Sequence, residues 1–490
     1  MKAGVFLIAG GWILLAATSG CSKKNTPTDQ KLNVLFIAVD DLRPELGCYG
    51  KEYMQTPNID KLASEGRAFR NHFVYCAACG PSRSTLLSGN RTLNWDVFRD
   101  IRESGTKPEG IFSMPQLFKE NGYETVGIGK ISHQPGGVID SLQNIHEVPY
   151  SWNISYAPTG EWNDPWKAFF SYAGGAARLY GYNRGSDSDQ PPFEAAEVSD
   201  NGYADGLNAE ETIKQLQRLK DTTFFLAVGF YKPHLPFNAP KKYWDLYDPE
   251  SIPEADYSQK PVNISSDICL HDGYPSYEPR THYRWENDTS NYQLTPERQK
   301  ILKHGYVACV SYIDAQIGKV INELERLDLH KNTIIVLWGD HGWHLGDYGI
   351  WGKYTNFDVA LRSPLIIKMP QTSDPGQFAE GIVETVDIFP TLADLCGLPE
   401  PQNLEGISMK PMIFDPHVQV RNYAVGARNA WGVQGNTIRS EQYRLMIWTD
   451  NNGDTLDIEL FDNAEYPVPF HNIADEQPEI VQQLLNMPIL

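Results

Sequence analysis

Residues 33–41 read Asn33-Val34-Leu35-Phe36-Ile37-Ala38-Val39-Asp40-Asp41: six apolar residues in unbroken succession, closed by two carboxylates. A run without apolar/polar alternation must be buried on both faces, as in a central strand of a parallel sheet. Three further runs share this design. Thr333–Trp338 (TIIVLW) stops at Asp340-His341, Phe224–Phe230 (FFLAVGF) leads into Lys232-Pro233-His234, and the shorter Thr125–Ile128 leads to Lys130 and His133. Helical patterns alternate with these runs, which predicts an α/β fold around a large, mostly parallel sheet flanked by helices. In open sheets of this kind ligands bind at the carboxyl edge of the strands.

Each strand end taken alone has an ordinary explanation. Acidic residues there often cap helices or face water, and a single histidine is more often packed or exposed than catalytic. Four strand ends carrying titratable residues point instead to one site. If Asp40, Asp41 and Asp340 converge, each like pair at ~4 Å costs roughly 4 kcal/mol at an effective dielectric of about 20. Such a cluster requires a cation. Carboxylates are hard ligands that suit calcium or magnesium, although His341 is an unusual ligand for calcium.

A second segment, Tyr75–Arg91, reads YCAACGPSRSTLLSGNR. Pro81 fits the first turn of a helix, Ser82–Ser88 is predicted to be a short helix, and Gly89 ends it. Cys79 then sits at a helix amino terminus, where free N–H groups favour an anion. Arg83 and Arg91 add positive charge. A structural thiol, or one with simple thiolate character, fits the same spacing.

Cys79-Gly80-Pro81-Ser82-Arg83 with Gly89 six residues on resembles the C-x-P-S-R-x-x-x-x-x-G signature of type I sulfatases in the alkaline phosphatase superfamily. The segments starting at Asn33, Gly127 (GIGKISH), Phe224 (FFLAVGFYKPHLPF) and Asn332 (NTIIVLWGDHGWHLGDYGIWGKYTNFD) resemble the rest of that family's pattern, in order. The Asp340-His341 pair looks most like the iduronate-2-sulfatase branch. The resemblance runs from about Asn33 to the chain end and implies hydrolysis of sulfate esters, on a sulfated sugar or polysaccharide fragment. It implies that Cys79 is converted to formylglycine by a formylglycine-generating or anaerobic sulfatase-maturating enzyme. It further implies that Asp40, Asp41, Asp340, His341 and residue 79 hold a divalent cation, usually calcium. Arg83, Lys130 and His133 match residues that position and activate the formylglycine; His234 and Lys353 match residues that contact the sulfate and leaving group. Gly80 departs from the Ala, Ser or Thr common at its place.

The remaining sequence bounds these expectations. The chain has 490 residues and a net charge of −20, which argues against nucleic-acid binding and requires a locally basic pocket for an anionic substrate. With 12 Trp and 25 Tyr, sugar stacking is available, though core packing is the commoner use of any one ring. Lys2 followed by the apolar Val5–Ala17 reads as an export signal, too short for a comfortable membrane span. Thr18-Ser19-Gly20-Cys21 resembles a bacterial lipoprotein cleavage site, so we expect an exported, periplasmic or surface protein with lipid on Cys21. The expected organisation is a signal over 1–21, a tether over 22–31, a catalytic domain over 32–415 with Gly381–Leu398 as its last helix, and a carboxyl-terminal α+β subdomain over 416–490. That subdomain is expected to hold an antiparallel sheet including Tyr443–Trp448 and Ile458–Phe461, and a helix near Pro478–Asn486. Seven cysteines without regular spacing do not suggest a disulfide framework. Two rival functions fit the same scaffold: a phosphate or phosphonate monoester hydrolase, and a non-catalytic glycan-binding lipoprotein. Loops 149–201 and 267–291 are expected to set substrate specificity.

Overall fold

The apolar run Asn33–Val39 lies inside an eight-stranded sheet. In chain order its strands are β1 Asn33–Val39, β2 Arg67–Phe73, β3 Glu124–Gly129, β4 Ile154–Tyr156, β5 Phe224–Phe230, β6 Thr333–Gly339, β7 Leu365–Lys368 and β8 Phe378–Glu384. Their spatial order is β8-β2-β7-β6-β1-β5-β3-β4. All neighbours pair parallel except β7, which runs antiparallel to both β2 and β6. The computed structural model describes residues 31–139, 145–178, 190–273, 283, 294–430, 432–465 and 468–487, with Met1 and Gly4. The expected export signal (apart from Met1 and Gly4), Cys21 and the tether up to residue 30 lie outside the described residues, as does much of loop 267–291. Residues Leu32–Leu490 form one compact unit. Among the described residues no helix is long and apolar enough to cross a membrane.

Alternation along β1 sends its side chains into two cores, one on each sheet face. Leu35, Ile37 and Val39 join the cluster holding Tyr306 and Ile313 of the long helix Pro296–Arg326 and Ala209 and Leu216 of Ala204–Leu219. Val34, Phe36 and Ala38 join Leu86 and Leu87 of the helix Cys79–Ser88, hereafter α1, and Phe389 of Ile388–Leu395. The expected single helix over Gly381–Leu398 is not formed. Gly381–Glu384 belongs to β8, parallel to β2, and only Ile388–Leu395 is α-helical. β8 lies at the sheet edge, and its pattern Phe378 half-buried, Ala379 buried, Glu380 exposed is that of a strand with one solvated side.

A four-stranded antiparallel sheet, β9 Tyr423–Ala430, β10 Val433–Ser440, β11 Tyr443–Asp450 and β12 Thr455–Asp462, follows in simple meander order. One face packs on the helix Pro478–Leu485 through Leu445, Leu460 and Leu484. Met446, Trp448 and Phe461 pack on Tyr348, Ile350 and Phe357, the segment that carries Lys353. Asp358, at the end of that segment, is held by Arg439 at 3.0 Å and Arg444 at 2.6 Å. The small sheet therefore braces the loop after β6.

Glu459 of β12 is fully buried and accepts a hydrogen bond from Trp448 Nε1 at 2.7 Å. Burial raises its carboxyl from 4.5 to about 7. The fold thus favours the neutral acid. Its contribution is complete below the unfolded value and is lost as pH rises through about 7, a change of up to about 3 kcal/mol. Glu459→Gln keeps an acceptor for Trp448 and carries no charge. Relative to this variant, the native chain should lose denaturation free energy between pH 5 and 8. Parallel pH profiles for the two proteins would show that Glu459 does not titrate in that window.

Candidate active site

The register of the central strands brings the polar residues together. Val39 lies opposite Phe230 and Gly339, and Gly129 opposite Gly229. Asp40, Asp340, Lys130 and the turn to His234 therefore leave the sheet at one level. Lys130 can approach this closely because Gly229 has no side chain: a Cβ there would stand 1.9 Å from the Lys130 carbonyl oxygen. Asp41 adopts φ 58°, a left-handed conformation that aspartate tolerates better than most residues. Its N–H donates to Asp340 Oδ1 at 2.9 Å, and its carbonyl accepts from Tyr306 at 2.9 Å.

Cys79 is the first residue of α1, and Gly89 ends the helix in the left-handed conformation, as the sequence predicts. Its Sγ lies 3.2 Å from Lys353 Nζ, 3.3 Å from His341 Nε2 and 3.7 Å from Asp41 Oδ1. Lys353 Nζ also contacts Asp41 Oδ1 at 2.9 Å. Arg83, one turn along α1, bridges Asp40 at 3.1 Å and Asp340 at 2.9 Å, and Lys130 Nζ meets Asp40 at 2.7 Å. All of these groups are buried. Burial raises the Asp40 carboxyl, but Lys130 and Arg83 outweigh it and hold the group well below its usual range. Burial and the Asp40 carboxylate push the Cys79 thiol well above its usual range, against Lys130 and Lys353.

His234 presents Nε2 to Asp41 Oδ2 at 3.9 Å, while its Nδ1 lies 2.6 Å from the Leu235 carbonyl. Burial and Lys353 keep its imidazole well below its ordinary value, so it is neutral near pH 7. His133 stands one layer out. Its ring meets Trp95 edge-on at 5.2 Å and Trp166 at 5.8 Å, and among the described residues its Nδ1 has no hydrogen-bond partner. Burial, then Lys130, lowers it to about 3. Arg91, expected to add charge near Cys79, instead pairs with Glu384 at 2.5 Å.

The donor set suits a hard divalent cation. Ligand atoms of Asp40, Asp41, Cys79 and His234 lie within 4.8 Å of one another, and so do those of Cys79, Asp340 and His341. The His341 Nδ1 lies 2.8 Å from the Gly342 carbonyl, an arrangement that orients Nε2 toward this cluster.

Two contributors escape sequence reasoning. Lys232 is buried and donates to the carbonyls of His234 at 2.9 Å and Pro236 at 2.8 Å, pinning the His234 turn. Phe169 packs its ring 4.3 Å from Lys130 Nζ and 4.7 Å from the His234 ring. The Lys-Pro-His sequence was the available signal for the first; no local pattern marks the second.

The Gly80 departure has a structural cause. Its φ is not positive, but a Cβ at this position would lie 2.4 Å from Cε3 of Trp95. The indole, 44% exposed, occupies the space that a side chain at residue 80 would take. Gly80→Ala is expected to cost roughly 1–3 kcal/mol through this overlap. Trp95→Ala should relieve it, so the double variant should be more stable than the sum of single effects predicts. Additive effects on the denaturation midpoint would contradict the overlap.

Comparison with known proteins gives a consistent picture. Residues 32–398 match the family model described as Sulfatase, and residues 346–487 match one described as N-sulphoglucosamine sulphohydrolase, C-terminal. The chain is similar to iduronate 2-sulfatase of Mus musculus, at 33% identity over 93% of this chain and 90% of the relative. It is also similar to iduronate 2-sulfatase of Homo sapiens, at 35% identity over 80% of this chain and 74% of the relative. Among solved structures, the phosphonate monoester hydrolase of Silicibacter pomeroyi shares the fold, with a TM-score of 0.72 and 22% identity, covering 93% of this chain and 94% of that one.

Proposed function

The chain belongs to the sulfatase family and is a sulfuric ester hydrolase; on that premise we propose that it removes sulfate from a sulfated sugar of the glycosaminoglycan type, with residue 79 acting as formylglycine. The observation that carries this reading is the position of Cys79 Sγ at an α1 terminus, between Lys353 at 3.2 Å and His341 at 3.3 Å. Conversion of Cys79 would be made by a formylglycine-generating or anaerobic sulfatase-maturating enzyme. Formylglycine, as its hydrate, would supply an oxygen nucleophile and a second hydroxyl, chemistry that a thiol lacks.

Asp40, Asp41, Asp340, His341 and residue 79 would hold a divalent cation, for which we propose calcium; bound there it would supply positive charge for the sulfate ester. The chain's own groups do the rest. Arg83 holds Asp40 and Asp340 in place. Lys130 and Lys353 bring positive charge to the sulfate oxygens, where charge builds in the transition state. His234, oriented through its Nδ1, directs Nε2 toward the leaving-group oxygen and delivers a proton to it, having taken that proton up when the anionic ester binds beside it. His133, neutral and with Nδ1 unengaged, accepts the proton released at residue 79. The similarity to iduronate 2-sulfatases supports a 2-O-sulfated uronic acid as the substrate. Export and lipid attachment at Cys21 complete the proposal.

Removal of divalent cations with a chelator is expected to abolish release of sulfate from 4-nitrophenyl sulfate, and added calcium to restore it. The native enzyme should turn over 4-nitrophenyl phosphate far more slowly. Unchanged sulfate release after chelation would contradict the cation assignment. Faster phosphate than sulfate release would favour the monoester phosphatase reading.

A further inference from the structure

Arg178 lies beyond the catalytic cluster, separated from His234 by one aromatic ring. Its guanidinium carbon is 4.0 Å from the centroid of Phe170 and 4.9 Å from that of Tyr283. The same Phe170 ring borders the site: it is 5.9 Å from His234 and 4.6 Å from Phe169, which covers Lys130. Arg178 is nine-tenths buried, and among the described residues its Nε has no hydrogen-bond partner.

This is unlike the other buried arginines. Arg83, Arg439 and Arg444 are bonded to aspartates, Arg67 donates to the carbonyls of Ile413, Gln377 and Ser373, and Arg428 donates to Ile268. Among the described residues no carboxylate or carbonyl accepts from the Arg178 side chain. Ring stacking holds the guanidinium in position but does not neutralise it. A buried guanidinium N–H with no acceptor is costly unless a ligand supplies one. The chain has a net charge of −20, yet among the described residues no carboxylate is placed to accept from Arg178.

We propose that Arg178 binds a second oxyanion of the substrate, a ring carboxylate or a further sulfate, carried beside the ester being cleaved. The planar fork of N–H donors matches either group. This deepens the sulfatase reading and rests on it: the scissile sulfate is held by the residue 79 cluster, and the second charge fixes which sugar is accepted and in which orientation.

The test compares two matched pairs of substrates. One pair is a methyl uronoside 2-O-sulfate and its methyl ester; the other is a glucosamine 6-O-sulfate with and without N-sulfate. Within each pair the scissile ester is the same, so a general folding defect cancels from the ratio. The native enzyme should favour the doubly anionic member of one pair by roughly 10–100-fold, expressed in KM. Arg178→Met should lose that preference, and Arg178→Lys should keep part of it. The pair that responds identifies the oxyanion. Equal KM within both pairs for the native enzyme, or an undiminished preference in Arg178→Met, overturns the proposal. Failure of the native enzyme to release sulfate from all four compounds would instead sink the sulfatase reading of the site. Calorimetric binding of the same four compounds to the native protein and Arg178→Met then still decides the anion site: charge-dependent binding lost in the variant supports it, and its absence overturns it.

Discussion

Cys79→Ala is expected to lower sulfate release by on the order of 10⁴-fold or more, with KM changed far less, because it removes the reacting atom and not a binding contact. The fold should survive. Among the described residues the polar contacts of Sγ are with Lys353, His341 and Asp41, and α1 is held by Leu86 and Leu87 in the core and by Gly89 at its end. A near-native melting temperature alongside lost turnover separates chemistry from stability. Cys79→Ser, made in a strain that converts the cysteine, should be almost as inactive, since its hydroxyl lacks the second oxygen of a hydrated aldehyde. Native-like sulfate release from either variant would remove residue 79 from the reaction.

Arg83→Met should produce the largest loss of stability of any single change at the site. It leaves Asp40 and Asp340 buried without the cation that bridges them at 3.1 and 2.9 Å. Breaking a buried pair from one side costs about 3–5 kcal/mol, and here two carboxylates lose one partner. Lys130 still compensates Asp40 at 2.7 Å, so the uncovered charge falls mainly on Asp340. Measured with chelator present, the deficit in denaturation free energy should shrink as pH is lowered, because protonating a carboxyl removes the unpaired charge. A deficit below about 1 kcal/mol would mean that the pairing contributes no more than a surface ion pair.

The central strands were legible because burial on both faces leaves a continuous apolar run, and the strand ends were legible because polar residues stop those runs abruptly. Parallel register then carries Asp40, Asp340, Lys130 and the His234 turn to one edge without further assumptions. Lys353 follows from no periodicity. It sits in an irregular loop braced by a separate sheet, and only the family resemblance pointed to it. β8 was misread as part of a helix because ETVDIFPTLADL, which follows Gly381-Ile382-Val383, places apolar residues at helical spacing. The break falls where Glu384 and Asp387 cap the short turn before Ile388. Gly80 looked like a simple deviation from a pattern; only the packing of Trp95, fifteen residues on in the chain, accounts for it. Arg178 was indistinguishable in sequence from any loop arginine, since what marks it is that, among the described residues, no acceptor meets its buried Nε.

The most direct measurement is the mass of the tryptic peptide Asn71–Arg83 from protein produced beside a formylglycine-generating enzyme. Because this peptide also contains Cys76, fragment ions must assign the change to residue 79. An aldehyde in place of the residue 79 thiol, in a preparation that releases sulfate, is the expected result. An unmodified Cys79 in a preparation that releases sulfate equally well would contradict the formylglycine assignment at this site.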